Sequence, residues 1–142
     1  MSKKLLVLAA SLYQLETILS AKRLGYQVIT ADNRPANPGH ALADKSYNVS
    51  TTDMEAVLEI SRKEAIDGVI APCTDVAVPT AAYVAQELNL RGVPLQTAKI
   101  VCDKILFREF LKEHDFPVPE NIPLDSSSAV EDRLFEKSPW II

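Results

Sequence analysis

The sequence of 142 residues is poor in the residues that build metal and disulfide frameworks: two cysteines, Cys73 and Cys102, and two histidines, His40 and His114. These are too few for a disulfide scaffold or a structural zinc site, so both thiols are expected to be reduced, buried small hydrophobes in a cytoplasmic protein. Long apolar runs are also missing. The longest, residues 5–10 and 68–72, fall far short of the ~20 residues a membrane span needs. No positively charged leader precedes a cleavable apolar segment, which argues against secretion. Positive charge is scarce as well, with 15 Lys and Arg against 19 Asp and Glu for a net charge of -4. The pI near 5.2 and the absence of a basic stripe leave no electrostatic footprint for nucleic acid, whereas a small charged ligand stays open. What is present, 47% hydrophobic and 24% charged residues, is the composition of a folded globular chain about one domain long.

Strand and helix patterns alternate along it. Residues 4–9 form a short apolar run, and Leu12, Leu15, Ile18 and Leu19 follow at helical spacing up to Gly25. Residues 27–31 read as a second buried strand, residues 32–39 as a loop rich in Asp, Asn, Pro and Gly, and residues 46–49 as a short third strand. Thr52 with Glu55 is expected to form a capping box for a helix starting near Asp53 that buries Met54, Val57 and Leu58. Residues 68–72 are apolar on both faces and too short for a helix. Pro79 can open the next helix as its first residue, which continues to Gly92, and residues 93–95 read as a fifth strand. A helical stretch from Ile100 to Leu111 is expected to break near Asp103 and to end before Pro117 and Pro119. Beyond it a strand at residues 121–124, a helix from Ser127 or Ser128 to Glu136 and a strand beginning at residues 139–142 are expected.

This alternation implies an α/β fold: a three-layer, doubly wound, open parallel sheet of about five strands, because right-handed crossovers put helices on both faces. Such sheets bind ligands outside the carboxyl ends of their strands, where helix starts expose free N–H groups. Three loops qualify, at residues 10–13, 32–40 and 73–78. Asp32 stands about twenty residues after the first turn, where a dinucleotide-binding domain holds a ribose hydroxyl. That turn reads Ala9-Ala10-Ser11-Leu12-Tyr13-Gln14 and lacks every glycine of the fingerprint, which argues against a dinucleotide. The Gly-x-Ser-x-Gly elbow and the phosphate-loop signature are absent too, and no catalytic residue is assigned to the chain.

Three groups of residues together carry a resemblance over nearly the whole chain. The first is Leu5-Leu6-Val7-Leu8, Gln14-Leu15 and Ala21-Lys22-Arg23-Leu24-Gly25-Tyr26-Gln27-Val28-Ile29. The second is Asp32 with Asn37-Pro38-Gly39-His40, Ala43-Asp44-Lys45-Ser46-Tyr47, and Asp75 with Pro79-Thr80-Ala81-Ala82-Tyr83-Val84-Ala85. The third is Cys102-Asp103-Lys104, Phe107-Arg108, Phe110-Leu111 and Phe116-Pro117-Val118-Pro119. In this order they resemble the N-terminal, pre-ATP-grasp domain of ATP-grasp ligases, in the branch like the carbamoyl phosphate synthase large subunit.

The resemblance implies an enzyme that uses ATP and magnesium to activate a carboxylate as an acylphosphate and joins it to an amine. It implies residues 1–102 as the pre-ATP-grasp domain and residues 103–142 as a linker helix and the truncated start of the ATP-grasp lobes. On this reading the chain is a fragment that binds no nucleotide by itself. The implied substrate side holds Ser11, Gln14, Asp32, Asn33, Thr74 and Asp75, and Lys104 is the implied nucleotide contact. Four of these have a plainer reading. Asp75 can cap the helix that follows it, Asp32 and Asn33 can be turn residues, Lys104 can be a solvated charge, and His40 is expected to be structural. The alternative from another class is a non-catalytic small-molecule-binding or dimerisation module, which leaves a homodimer as a possible partner.

Overall fold

The computed structural model describes residues 2–119. Four strands, β1 (Lys4–Leu8), β2 (Gln27–Ala31), β3 (Lys45–Tyr47) and β4 (Gly68–Ile70), form one parallel sheet in the order β3-β2-β1-β4. Lys4 to Leu8 of β1 lie beside Gln27 to Ala31 of β2, and Leu5 to Val7 beside Gly68 to Ile70 of β4. The helices are α1 (Leu15–Arg23), α2 (Pro38–Leu42), α3 (Met54–Glu64), α4 (Val78–Glu87), α5 (Leu95–Cys102) and α6 (Lys104–Glu113).

Because strand side chains alternate faces, β1 supplies two cores at once. Leu6 and Leu8 join Ile29 and Ala31 of β2 under Val57 and Leu58 of α3 and Val84 of α4. Val7 and Val28 face Ile18 and Ala21 of α1, with Leu42 at the end of α2 packed against them. Burying both faces of β1 and β2 is what the apolar composition of these strands requires. On the second face α2 comes very close to the first strand-to-helix turn, since a Cβ on Gly39 would lie 2.7 Å from the Ala10 carbonyl oxygen.

Several expectations need correction. Among the described residues the sheet has four strands and not five: residues 93–95 form no strand, because Pro94 stands at the start of α5 and Leu95 is its first residue. Residues 32–39 are not all loop, since Pro38 opens the short helix α2 at a position where its missing N–H costs nothing. The cap of α3 is Asp53, whose carboxylate accepts from Ala56 N–H at 3.1 Å. Thr52 instead shares a hydrogen bond with Ser50, and Glu55 accepts from the Tyr83 hydroxyl at 2.6 Å. Met54 is half-buried while Val57 and Leu58 are fully buried. The break at Asp103 is present, and its carboxylate accepts from the N–H groups of Ile105 and Leu106 to start α6. Cys73 is exposed and Cys102 half-buried, and both are free thiols, so neither is a fully buried hydrophobe. The elements expected at 121–124, 127–136 and 139–142 lie outside the described residues.

Candidate functional site

In the order β3-β2-β1-β4 the chain runs outward from β1 to β2 and β3, then crosses to the other side of β1 for β4. The switch point therefore lies between β1 and β4, and the loops leaving their carboxyl ends flank it. The loop after β1 enters a 3-10 turn at Leu12–Gln14 before α1, and the loop after β4 enters another at Asp75–Ala77 before α4.

Gln14 spans this point. Its side chain is 1% exposed, and its Nε2 donates to the Pro72 carbonyl at 2.7 Å, across the gap between the two loops. Its Oε1 accepts from Ser11 N–H at 3.0 Å and from the Ser11 hydroxyl at 2.6 Å. Ser11 and Gln14 thus form a closed box that fixes the 3-10 turn leading into α1, the geometry of a reciprocal cap. A fully buried amide has to satisfy its donors and acceptors locally, and this one does.

Asp32, at the end of β2, is the second fixture. It is 6% exposed and accepts three hydrogen bonds, each of 2.8 Å, from Ala10 N–H, Arg34 N–H and the Asn37 side chain. Burial works to raise its pKa. The two backbone donors, Asn37 and the nearby charge of His40 outweigh that and hold the carboxyl below the ordinary aspartate range. Ala9 sits at a φ of 72°, so the turn adopts left-handed backbone without a glycine, at a cost of ~1–2 kcal/mol. The Asp32 carboxylate fastens the turn directly beyond that residue.

The remaining expected residues are free. Asn33 and Asp75 are exposed and Thr74 half-buried, and none has a side-chain hydrogen bond among the described residues. Asp75 does not cap α4 with its carboxylate: its carbonyl oxygen accepts from Val78 N–H, and Ala77, the residue before α4, provides no side-chain cap. Its charge reaches α5, where the Cys102 thiol is pushed up first by burial and then by Asp75. Lys104, the first residue of α6, is exposed and unpaired among the described residues. His40 has its Nδ1 2.9 Å from the Thr30 hydroxyl, while its buried Nε2 has no hydrogen-bond partner among the described residues.

One polar cluster escaped sequence reasoning. At the other end of the sheet the buried Glu64 carboxylate takes hydrogen bonds from Lys45 and Tyr47, and the Glu64 carbonyl accepts from Lys4 Nζ at 2.6 Å. Lys45 first and Tyr47 second hold the Glu64 carboxyl low, against burial. Glu64 lies 19 and 17 residues from Lys45 and Tyr47, so no local motif joined the three.

The fold and this edge define a doubly wound α/β domain whose switch-point edge is held by Gln14 and Asp32. No group of three or more His, Cys, Asp or Glu among the described residues could hold a metal, and no helix among them is long and apolar enough to cross a membrane.

No protein-family model matches the chain. Among curated proteins it is similar to the formate-dependent phosphoribosylglycinamide formyltransferase of Hydrogenovibrio crunogenus, with 34% identity over 84 residues, covering 59% of this chain and 21% of that protein. Among solved structures it is similar to phosphoribosylglycinamide synthetase from Anaerococcus prevotii, with a TM-score of 0.73 and 26% identity over 81% of this chain and 30% of that one. It is also similar to N5-carboxyaminoimidazole ribonucleotide synthetase from Thermotoga maritima, with a TM-score of 0.67 and 27% identity over 83% of this chain and 32% of that one. The chain thus spans about a fifth to a third of the length of the proteins it matches. These likenesses support the ATP-grasp N-terminal domain expected from the sequence.

Proposed function

We propose that the chain is the substrate-side N-terminal part of an ATP-dependent carboxylate-amine ligase that works through an acylphosphate. Within that class we place it in the branch like the carbamoyl phosphate synthase large subunit, on the residues that carried the resemblance. The observation that carries the reading is the carboxyl edge itself: a switch point bridged by Gln14 and Pro72, with Thr74 and Asp75 unpaired on the loop after β4 and Asn33 unpaired after β2. Ser11, Gln14 and Asp32 act as positioning residues that shape this edge. Asn33, Thr74 and Asp75 are the contacts for the amine. Residues 1–102 form the substrate-side domain, and the segment from Asp103 leads into lobes that hold ATP and magnesium, with Lys104 on the nucleotide side. When bound, those groups supply the phosphoryl group and neutralise its charge.

A test is to give the full-length protein Mg-ATP, candidate carboxylates and hydroxylamine. An acylphosphate is trapped as a hydroxamate, formed in step with ADP and only when a carboxylate is present. ADP release that ignores the carboxylate refutes the reading. A second reading, a non-catalytic dimerisation module, is favoured by α6, whose Ile105, Leu106, Phe107 and Phe110 stay 37–43% exposed. It predicts a dimer and no hydroxamate.

A further inference from the structure

We propose that the amine received at this edge carries no phosphate, and that the first strand-to-helix turn is closed to phosphate. The proposal rests on the ligase reading above and narrows its substrate class. A phosphate-binding turn aims free N–H groups at its ligand, and nearby cations add charge. Here five of the six amides from Ala9 to Gln14 are already spent inside the protein. Ala9 donates to the Ala31 carbonyl at 2.9 Å, Ala10 to the Asp32 carboxylate at 2.8 Å, and Ser11 to Gln14 Oε1 at 3.0 Å. Tyr13 donates to the Ser11 hydroxyl at 3.4 Å and Gln14 to the Ser11 carbonyl at 3.2 Å.

A phosphate at Ala10 would have to displace a buried carboxylate and then lie against its like charge, a repulsion that low-dielectric surroundings strengthen. Residues 9–17 and 71–78 contain no lysine or arginine, and Arg34 is the one lysine or arginine in the three loops at residues 10–13, 32–40 and 73–78. The start of α4 has no side-chain cap, but Asp75 stands in the turn before it, so the protein itself supplies the negative charge that a helix start favours.

What the edge offers instead is a carboxylate, a hydroxyl and a carboxamide, on Asp75, Thr74 and Asn33. On the flanking 3-10 turns Leu12, Tyr13 and Val76 are 72%, 78% and 67% exposed. This set complements an ammonium group on an apolar carbon skeleton. The acceptor class is therefore an amino-acid-like or simple primary amine with its nitrogen toward Asp75, as distinct from a phosphoribosyl amine.

The test is an amide-resonance titration of the full-length protein with two probes, L-alaninamide and ribose 5-phosphate. Alaninamide is expected to shift the Thr74 and Asp75 amides saturably, and that response is expected to be lost in Asp75→Ala. Ribose 5-phosphate is expected to leave Ala10 and Ser11 unmoved. A saturable ribose 5-phosphate response at Ala10 or Ser11 overturns the proposal, as does silence toward alaninamide. An Arg34→Ala variant that abolishes a ribose 5-phosphate response elsewhere on this edge also overturns it, by locating the phosphate. The hydroxamate assay reports separately on the ligase reading. An alaninamide response without hydroxamate fails that reading alone, and hydroxamate formation with ribose 5-phosphate bound at Ala10 fails only the present proposal.

Discussion

Removing the Asp32 carboxylate should be among the most damaging single changes that leave the hydrophobic core intact. Asp32→Ala deletes an acceptor for three donors at 2.8 Å and leaves Ala10 N–H, on a residue with no exposed surface, without a partner. Hydrogen bonds to a charged group contribute ~1.5–3 kcal/mol each, but the Arg34 and Asn37 donors can turn to water, so the values do not add. The stranded Ala10 amide costs ~1–3 kcal/mol, and loss of the loop anchor brings the expected total to about 3 kcal/mol. For a domain of this size that lowers Tm by roughly 10 °C. Asp32→Asn keeps one acceptor oxygen and should lose about half as much. Urea unfolding followed by far-UV circular dichroism measures both variants.

The pH dependence supplies a second readout. A carboxyl held below its unfolded value contributes stability that is fully present above the unfolded pKa, ~3.9 for aspartate. That contribution is lost as pH falls through the lower folded value. The wild-type protein should therefore lose part of its stability below about pH 4, and Asp32→Ala should lose correspondingly less over that window. A stability change under ~0.5 kcal/mol for Asp32→Ala, the range of an ordinary surface change, would refute the anchoring role.

Glu64→Gln should destabilise by about 1–3 kcal/mol, because the buried carboxylate serves Lys45 and Tyr47 together. Its depressed pKa likewise places its contribution above the unfolded glutamate value and removes it in acid, so the variant should show a shallower acid limb in a thermal melt series. Alkylation at pH 8, read by mass spectrometry, should modify exposed Cys73 before Cys102, whose thiol is held up by burial and by Asp75. Asp75→Asn should speed Cys102 modification by roughly two-fold and leave Cys73 unchanged; an unchanged Cys102 rate would show that the two residues do not interact.

Local signals fixed some elements and misled on others. The strands Lys4–Leu8 and Gln27–Ala31 were legible because short apolar runs are bounded by charged residues and glycine, and the Asp103 break because aspartate is a strong helix cap. Residues 93–95 misled because three apolar residues carry no period, and Pro94 serves a helix start as readily as a strand edge. Proline and glycine at 38 and 39 read as loop, yet proline suits the first turn of α2, and Gly39 is needed there for close approach to Ala10. Sequence reasoning brought the loops that hold Ser11, Asp32 and Asp75 to one edge through topology, and Gln14 to it through the resemblance. It could not assign their roles, because the bonds from Asp32 to Ala10 and from Gln14 to Pro72 join residues 22 and 58 positions apart. The Asp75 cap failed for a local reason, since a 3-10 turn intervenes before α4.

The most direct test of the central claim is the steady-state kinetics of Asp75→Ala in the full-length protein. The crevice edge is assigned to the amine, so kcat/KM for the amine should fall by about tenfold or more, equivalent to ~1.4 kcal/mol of transition-state stabilisation. KM for ATP should stay within about two-fold, and Asp75→Asn should not restore the amine parameter, since the ionised carboxylate is what meets the ammonium group. Unchanged amine kinetics in Asp75→Ala, or a loss that falls on ATP instead, would contradict the account.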